Sequence, residues 1–176
     1  MILVADSGST KCDWILIDQS NTHHKTNTMG FNPFFHSTEF ILEKIQENEI
    51  FQNYKSEIKE IYFYGAGCSS ADRKIILERA LSQFFTSAEK IDVNHDLTGA
   101  VLATTPYIPG ISCILGTGSN SCFFDGKNIN EHLPALGYIL GDEGSGSYFG
   151  KILLADWFYH RMPSKLYSEF QEKYEL

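Results

Sequence analysis

Short apolar runs closed by glycine turns alternate along this chain with longer stretches in which apolar residues recur every three or four positions. "MILVAD" (1–6) predicts a buried strand, "SGST" (7–10) a turn and "KCDWILID" (11–18) a second strand, so residues 1–18 form a hairpin. "HHKTNTM" (23–29) follows as a third strand, and "GFNPFF" (30–35) is a loop with Gly30 and Pro33. Ser37 caps a helix reaching about Tyr54, with Phe40, Ile41 and Ile45 on one face. "EIYFYGAG" (60–67) is a strand entering a glycine turn. "SSADRKIILERALSQFF" (69–85) is an amphipathic helix with Leu77, Leu81, Phe84 and Phe85 at helical spacing. "EKIDVN" (89–94) is a strand, and Asp96 caps the helix "DLTGAVLAT".

"TPYIPG" (105–110) holds two of the five prolines and marks a boundary between a lobe of residues 1–105 and a second of 106–176. The pattern then restarts: a strand at 111–115, the turn "GTGS", a strand at 119–124, an Asp125-Gly126 hairpin turn and a short strand. "GDEGSGS" (141–147) leads into the helix "YFGKILLADWFYHRM", and "SKLYSEFQEKYEL" closes the chain as a helical segment. Shifting the first hairpin by 110 positions sets Gly8 on Gly118, Ser9 on Ser119 and Cys12 on Cys122. A duplicated α/β lobe accounts for this restart.

Each glycine turn between strands has two readings. It can be a plain hairpin turn in which glycine supplies a positive φ. It can also be a nest whose backbone N–H groups bind phosphate oxygens, with Ser and Thr hydroxyls and Lys11 as added donors. Asp6, ending the first strand, is placed to hold Mg²⁺ through waters. Two matched copies favour the nest, one turn per lobe on a single polyphosphate. Asp96 and Asp142 each have a plain alternative as helix N-caps, and Asn32 before Pro33 is also a common turn pair. Glu143 favours the dipole of the helix that follows, and Trp157, Phe158 and Tyr159 are expected in packing.

The charge balance removes one class of partner. Fourteen Lys and Arg against 22 Asp and Glu give a net charge of −8, which excludes nucleic-acid backbone binding as the main role. No run is long enough for a membrane span, and "MILVADSGSTK" lacks the basic start of a signal peptide. Four cysteines without a C-x-x-C pair fit buried, reduced thiols in a cytoplasmic protein.

"DSGSTKCDW", "GTGSNS" and above all "LGYILGDEGSGSYFGK" resemble the BadF/BadG-type ATPases, and within them the N-acetylglucosamine kinases, of the actin, hexokinase and sugar-kinase superfamily. The resemblance runs along the whole chain. It implies an α/β fold of two ribonuclease-H-like lobes, the second incomplete. It implies an ATP-dependent kinase acting on a hydroxyl of an amino sugar, N-acetylglucosamine or glucosamine. Asp6 would organise Mg²⁺, with Gly8, Ser9, Thr10 and Lys11 at the ATP phosphates and Gly116, Thr117 and Gly118 forming the opposite phosphate loop. Asp96 would be the general base, and Asn32, Asn120 and Asp142 would hydrogen-bond the sugar. In this superfamily a later Gly-Gly turn contacts the nucleoside; this chain has no Gly-Gly dipeptide. The expectation is therefore a fragment without the adenosine site, with an open sheet edge that invites a homodimer. Two rivals stand beside the kinase. One is the family's ATPase activators of iron–sulfur reductases and dehydratases, which need loop-borne cysteines such as Cys68. The other is a non-catalytic sugar-binding or regulatory module.

Overall fold

A computed structural model describes residues 1–131 and 134–175. β1 (Ile2–Ser7), β2 (Lys11–Ile17), β3 (His23–Met29), β4 (Glu60–Gly65) and β5 (Lys90–His95) form one sheet in the order β3-β2-β1-β4-β5. The first hairpin and β3 pair antiparallel; β1, β4 and β5 run parallel. Alternation sets which side of β2 is inside: Cys12, Trp14 and Leu16 are buried between more open neighbours. Trp14 meets the edges of Phe31 and Phe51 at 6.4 and 5.0 Å, and its indole N–H donates to the Thr28 hydroxyl at 3.0 Å.

The stretch after Ser37 is two helices rather than one, α1 (Thr38–Gln46) and α2 (Glu49–Tyr54). Ser37 caps the first, and the Asn48 side chain accepts from Phe51 N–H and starts the second. α3 (Ala71–Phe84) buries Leu77, Leu81 and Phe84 as its spacing requires and packs on α1 and β5. α4 (Asp96–Thr104) follows β5 directly and packs on β4, β5 and β1. His95 occupies its cap position, so Asp96 stands in the first turn rather than at the cap.

β6 (Gly110–Leu115), β7 (Ser119–Phe124) and β8 (Ile129–Asn130) form a second sheet in that order. The Asp125-Gly126 turn is as expected: Asp125 Oδ1 accepts from the N–H groups of Lys127 and Asn128, and Gly126 has φ +96°. Strand boundaries align the hairpins as Ile2 with Gly110, Ser7 with Leu115 and Lys11 with Ser119, a shift of 108 rather than 110. Gly8 thus corresponds to Gly116. α5 (Gly137–Leu140), α6 (Gly146–Phe158) and α7 (Ser164–Tyr174) complete the described chain.

The chain divides into two compact units, one holding residues 1–113 and the return of β7 and β8 after Asn120, the other residues 114–120 and the helices from Gly137 onward. In the second unit, the expected packing of residues 157–159 holds only for Trp157. It stacks on Tyr167 at 5.6 Å, whereas Phe158 and Tyr159 are exposed, on a helix that buries none of its residues. Cys12, Cys68 and Cys122 are buried, but Cys113 is exposed, since it lies on the open side of β6. Among the described residues no helix is long and apolar enough to cross a membrane.

Candidate functional site

In the first unit the β1–β2 turn is closed by Gly8 N–H donating to the Lys11 carbonyl at 3.0 Å. Gly8, Ser9 and Thr10 are exposed on it. The Lys11 ammonium lies 2.6 Å from Asp13 in an exposed pair, which is worth little by itself. Residues 30–32 brace the turn from beneath. The buried Ser7 hydroxyl accepts from Phe31 N–H at 2.9 Å, and Asn32 Nδ2 donates to the Ser9 hydroxyl at 3.2 Å. A Cβ on Gly30 would come within 2.7 Å of Gly8, Ser9 and Thr10 backbone atoms. Ser7 and Gly30 are site-forming residues that sequence reading passed over. Ser7 stands between the candidates Asp6 and Gly8, and Gly30 lies in the loop that carries Asn32; nothing else in the sequence marks them.

Asp6 is the penultimate residue of β1, beside this turn. Its carboxylate is accessible but half surrounded by protein. Lost solvation raises its pKa first, and the charges of Asp96 and Asp13 raise it further. Asp6 and Asp96 are therefore neighbours in the electrostatic sense, joined from opposite ends of the first unit's sequence. Asp96 is mostly enclosed, and its Oδ1 accepts from Leu97 N–H at 2.9 Å, leaving Oδ2 for other partners. His95 Nε2 lies 3.0 Å from Asp96 Oδ1, and its Nδ1 lies 3.6 Å from Glu131, without a hydrogen bond. A cluster of at least three metal-ligating side chains is absent among the described residues. An Mg²⁺ held by one carboxylate, phosphate oxygens and waters needs none, and Asp6, crowded by other carboxylates, suits that.

In the second unit the β6–β7 turn is tied to the start of α6. Gly146 N–H donates to the Gly116 carbonyl at 2.9 Å, and Ser147 N–H to the Thr117 carbonyl at 3.2 Å. Those two helix amides are thereby occupied, as are Gly116 N–H, which donates to the Gly118 carbonyl at 2.9 Å, and Ser119 N–H, which donates to Asp142, so an anion there has to be met by other donors of the turn. Asp142 does not cap α6. Ser145 does, accepting from Tyr148 N–H at 3.1 Å, and Glu143 lies ahead of the helix rather than in its first turn. Asp142 instead accepts from Ser119 N–H at 3.1 Å, and its φ is +60°. Asn120 follows as the second residue of β7, half-buried.

The glycines separate the two readings of these turns. Gly8, Gly116 and Gly118 do not have positive φ. A Cβ would find only one atom within 4 Å at Gly8, 3.6 Å away, and one at Gly116, 4.0 Å away. Neither conformation nor packing demands glycine at these two positions; both are exposed with no side chain over the backbone, although their N–H groups are held within the turns by the Lys11 and Gly118 carbonyls. Gly118 differs, since a Cβ would sit 3.1 Å from both Asp142 carboxylate oxygens. Cys68 is fully buried, and burial pushes its thiol up to about 12, so it is not an open cluster ligand.

No family model and no curated protein sequence matches the chain. Solved structures do. A candidate N-acetylglucosamine kinase from Porphyromonas gingivalis superposes with TM-score 0.92 at 39% identity, covering 100% of this chain and 62% of that one. A candidate N-acetylglucosamine kinase from Chromobacterium violaceum matches with TM-score 0.66 at 18% identity, covering 97% of this chain and 62% of that one. The ADP-bound MreB5 of Spiroplasma citri, at TM-score 0.51 and 10% identity, covers 73% of this chain and 49% of its own. This chain thus spans about three fifths of the length of the two kinase-like structures. Its fold is the α/β fold of the actin and sugar-kinase type, present in part.

Proposed function

We propose that this chain carries the phosphate-binding and sugar-binding parts of an ATP-dependent kinase for an amino sugar, N-acetylglucosamine or glucosamine. The observation that carries the reading is the bare backbone of Gly8 and Gly116 at corresponding positions of two matched turns. A glycine that neither its φ nor its neighbours require is accounted for by a ligand that must approach the main chain. Gly8, Ser9, Thr10 and Lys11 in one turn, and Gly116, Thr117 and Gly118 in the other, surround the ATP phosphates; Gly8 and Gly116, whose N–H groups are held by the Lys11 and Gly118 carbonyls, let the phosphates come close, and the other residues of the turns supply the donors. Asp6 holds Mg²⁺, which supplies charge neutralisation at the phosphates.

Asp96 accepts the proton of the sugar hydroxyl through Oδ2, the oxygen that Leu97 N–H leaves free. Asn32, Asn120 and Asp142 hydrogen-bond the sugar. Phosphoryl transfer asks mainly for such positioning and charge stabilisation, which this set of residues provides without a covalent intermediate. The description of the 39%-identical Porphyromonas structure supports the amino-sugar class. The burial of Cys68 weighs against an iron–sulfur activator.

Calorimetric titration of the folded chain with N-acetylglucosamine, with glucose and an Asp142→Ala variant beside it, tests the reading. Saturable binding of the amino sugar that disappears in the variant is expected. Equal heats for wild type and variant, or no binding by a folded chain, would overturn it.

A further inference from the structure

Asn32, assigned above to the sugar, is 7% exposed, and both ends of its amide are engaged inside the first unit. Its Oδ1 accepts from Phe34 N–H at 3.0 Å. A backbone N–H can only donate, so this contact fixes which end of the amide is oxygen. The other end is then the NH₂ group, and it donates to the Ser9 hydroxyl at 3.2 Å. Gly67 leaves the space this requires: a Cβ there would lie 2.4 Å from Asn32 Oδ1, and the residue's φ is +81°.

The direction of the Asn32–Ser9 bond has a chemical consequence. A hydroxyl that accepts from an amide keeps its own hydrogen for another partner. Receiving that bond also makes it a better donor. Ser9 lies exposed on the turn, so its hydroxyl hydrogen is left available to a ligand with an acceptor oxygen.

We propose that Asn32 is a positioning residue for the nucleotide: it fixes Ser9 as a hydrogen-bond donor to the ATP phosphates and joins the sugar loop to the phosphate turn. The proposal rests on the kinase reading of the turn. It adds that the two ligands share one side chain, so that sugar contact at Asn32 bears directly on phosphate binding at Ser9.

Asn32→Asp tests the direction of the bond. The acid keeps the shape and the acceptor for Phe34 N–H, but it places an oxygen where the NH₂ group was. Ser9 must then donate inward, and its hydrogen is lost to the phosphate. Calorimetry of the full chain with Mg²⁺ and a non-hydrolysable ATP analogue would be run on wild type, Ser9→Ala, Asn32→Asp and the double variant, each shown folded by circular dichroism. Each single variant is expected to weaken binding about tenfold or more, the loss of one charge-assisted hydrogen bond. The double variant is expected to be no weaker than Asn32→Asp alone, because both changes remove the same bond.

Unchanged binding in folded Asn32→Asp would overturn the proposal. So would losses that multiply in the double variant, which would mark a simple charge effect on the phosphates. A wild-type chain that binds no analogue would overturn the kinase reading and this proposal with it, an outcome distinct from the other two. Should Asn32→Asp not fold, the side-chain amide signals of Asn32 in nitrogen-15 NMR spectra read the same bond from the other side. They are expected to shift in Ser9→Ala, and unmoved signals would overturn the proposal.

Discussion

Asp142 Oδ1 accepts from the backbone N–H of Ser119 at 3.1 Å, joining the segment before α6 to the first residue of β7. The contact needs Gly118, whose missing side chain leaves room for both carboxylate oxygens. Asp142→Ala removes a charge-assisted bond and should cost about 1.5–3 kcal/mol in urea unfolding, toward the low end because the site is only half-buried. Asp142→Asn keeps an acceptor and tolerates the left-handed backbone, so it should cost less than half as much. Equal losses in the two variants would show that the Ser119 contact does not hold this segment.

Gly30 and Gly8 make an opposed pair. Alanine at 30 would drive its Cβ to 2.2 Å from the Gly8 carbonyl oxygen, against backbone that cannot rotate away. We expect Gly30→Ala to destabilise by about 3 kcal/mol. Gly8→Ala meets nothing closer than 3.6 Å and needs no positive φ, so stability should hold or rise by up to about 1 kcal/mol. The same methyl would stand where the phosphate approaches, so nucleotide affinity should fall while melting temperature does not. A Gly8→Ala chain that binds the ATP analogue normally would remove the argument from bare backbone.

Much of this was legible because local rules agree with the fold. The alternation in β2, the Leu77–Leu81–Phe84 face of α3 and the Ser37 cap follow from the spacing of side chains along one element. What the sequence hid depends on distant partners. Asp142 looks like a cap for α6 until Ser119, 23 positions earlier, is seen to donate to it. The break between α1 and α2 turns on one Asn48 side chain finding Phe51 N–H within an otherwise continuous helical pattern. Exposure of Phe158 and Tyr159 is likewise unreadable from their type, since it reflects how little α6 packs against. Among the candidate site residues, the turns and Asp6 were placed by pattern. The bracing by Ser7, Gly30 and Asn32 required the loop at 30–32 to fold back beneath them.

Asp6 gives the pH dependence its sign. Its folded pKa lies above the ordinary carboxylate value, from lost solvation first and then from Asp96 and Asp13. The fold therefore holds this proton more tightly than the unfolded chain does. That contribution is full below the unfolded value near about 4 and is lost as pH rises through the folded one. At pH 7 the ionised Asp6 opposes folding of the ligand-free chain. Asp6→Asn should therefore raise the melting temperature at pH 7, and the gain should shrink as pH approaches 4. A variant less stable than wild type at pH 7 would show that this carboxylate is not strained in the empty chain.

The four thiols should separate by reactivity. Cys12, Cys68 and Cys122 lie inside, and burial raises the pKa of each, so the nucleophilic thiolate is scarce as well as hidden. Cys113 faces solvent from β6. With iodoacetamide at pH 8, one thiol should alkylate quickly, and peptide mapping should place it at Cys113. The other three should react only once urea unfolds the chain. The first unit's core sets the order, because Cys12 and Cys68 both belong to its apolar cluster. Rapid alkylation of Cys68 in the folded chain would mean that the loop after Gly67 opens. It would return that cysteine to consideration as an exposed ligand and weaken the case against an iron–sulfur role.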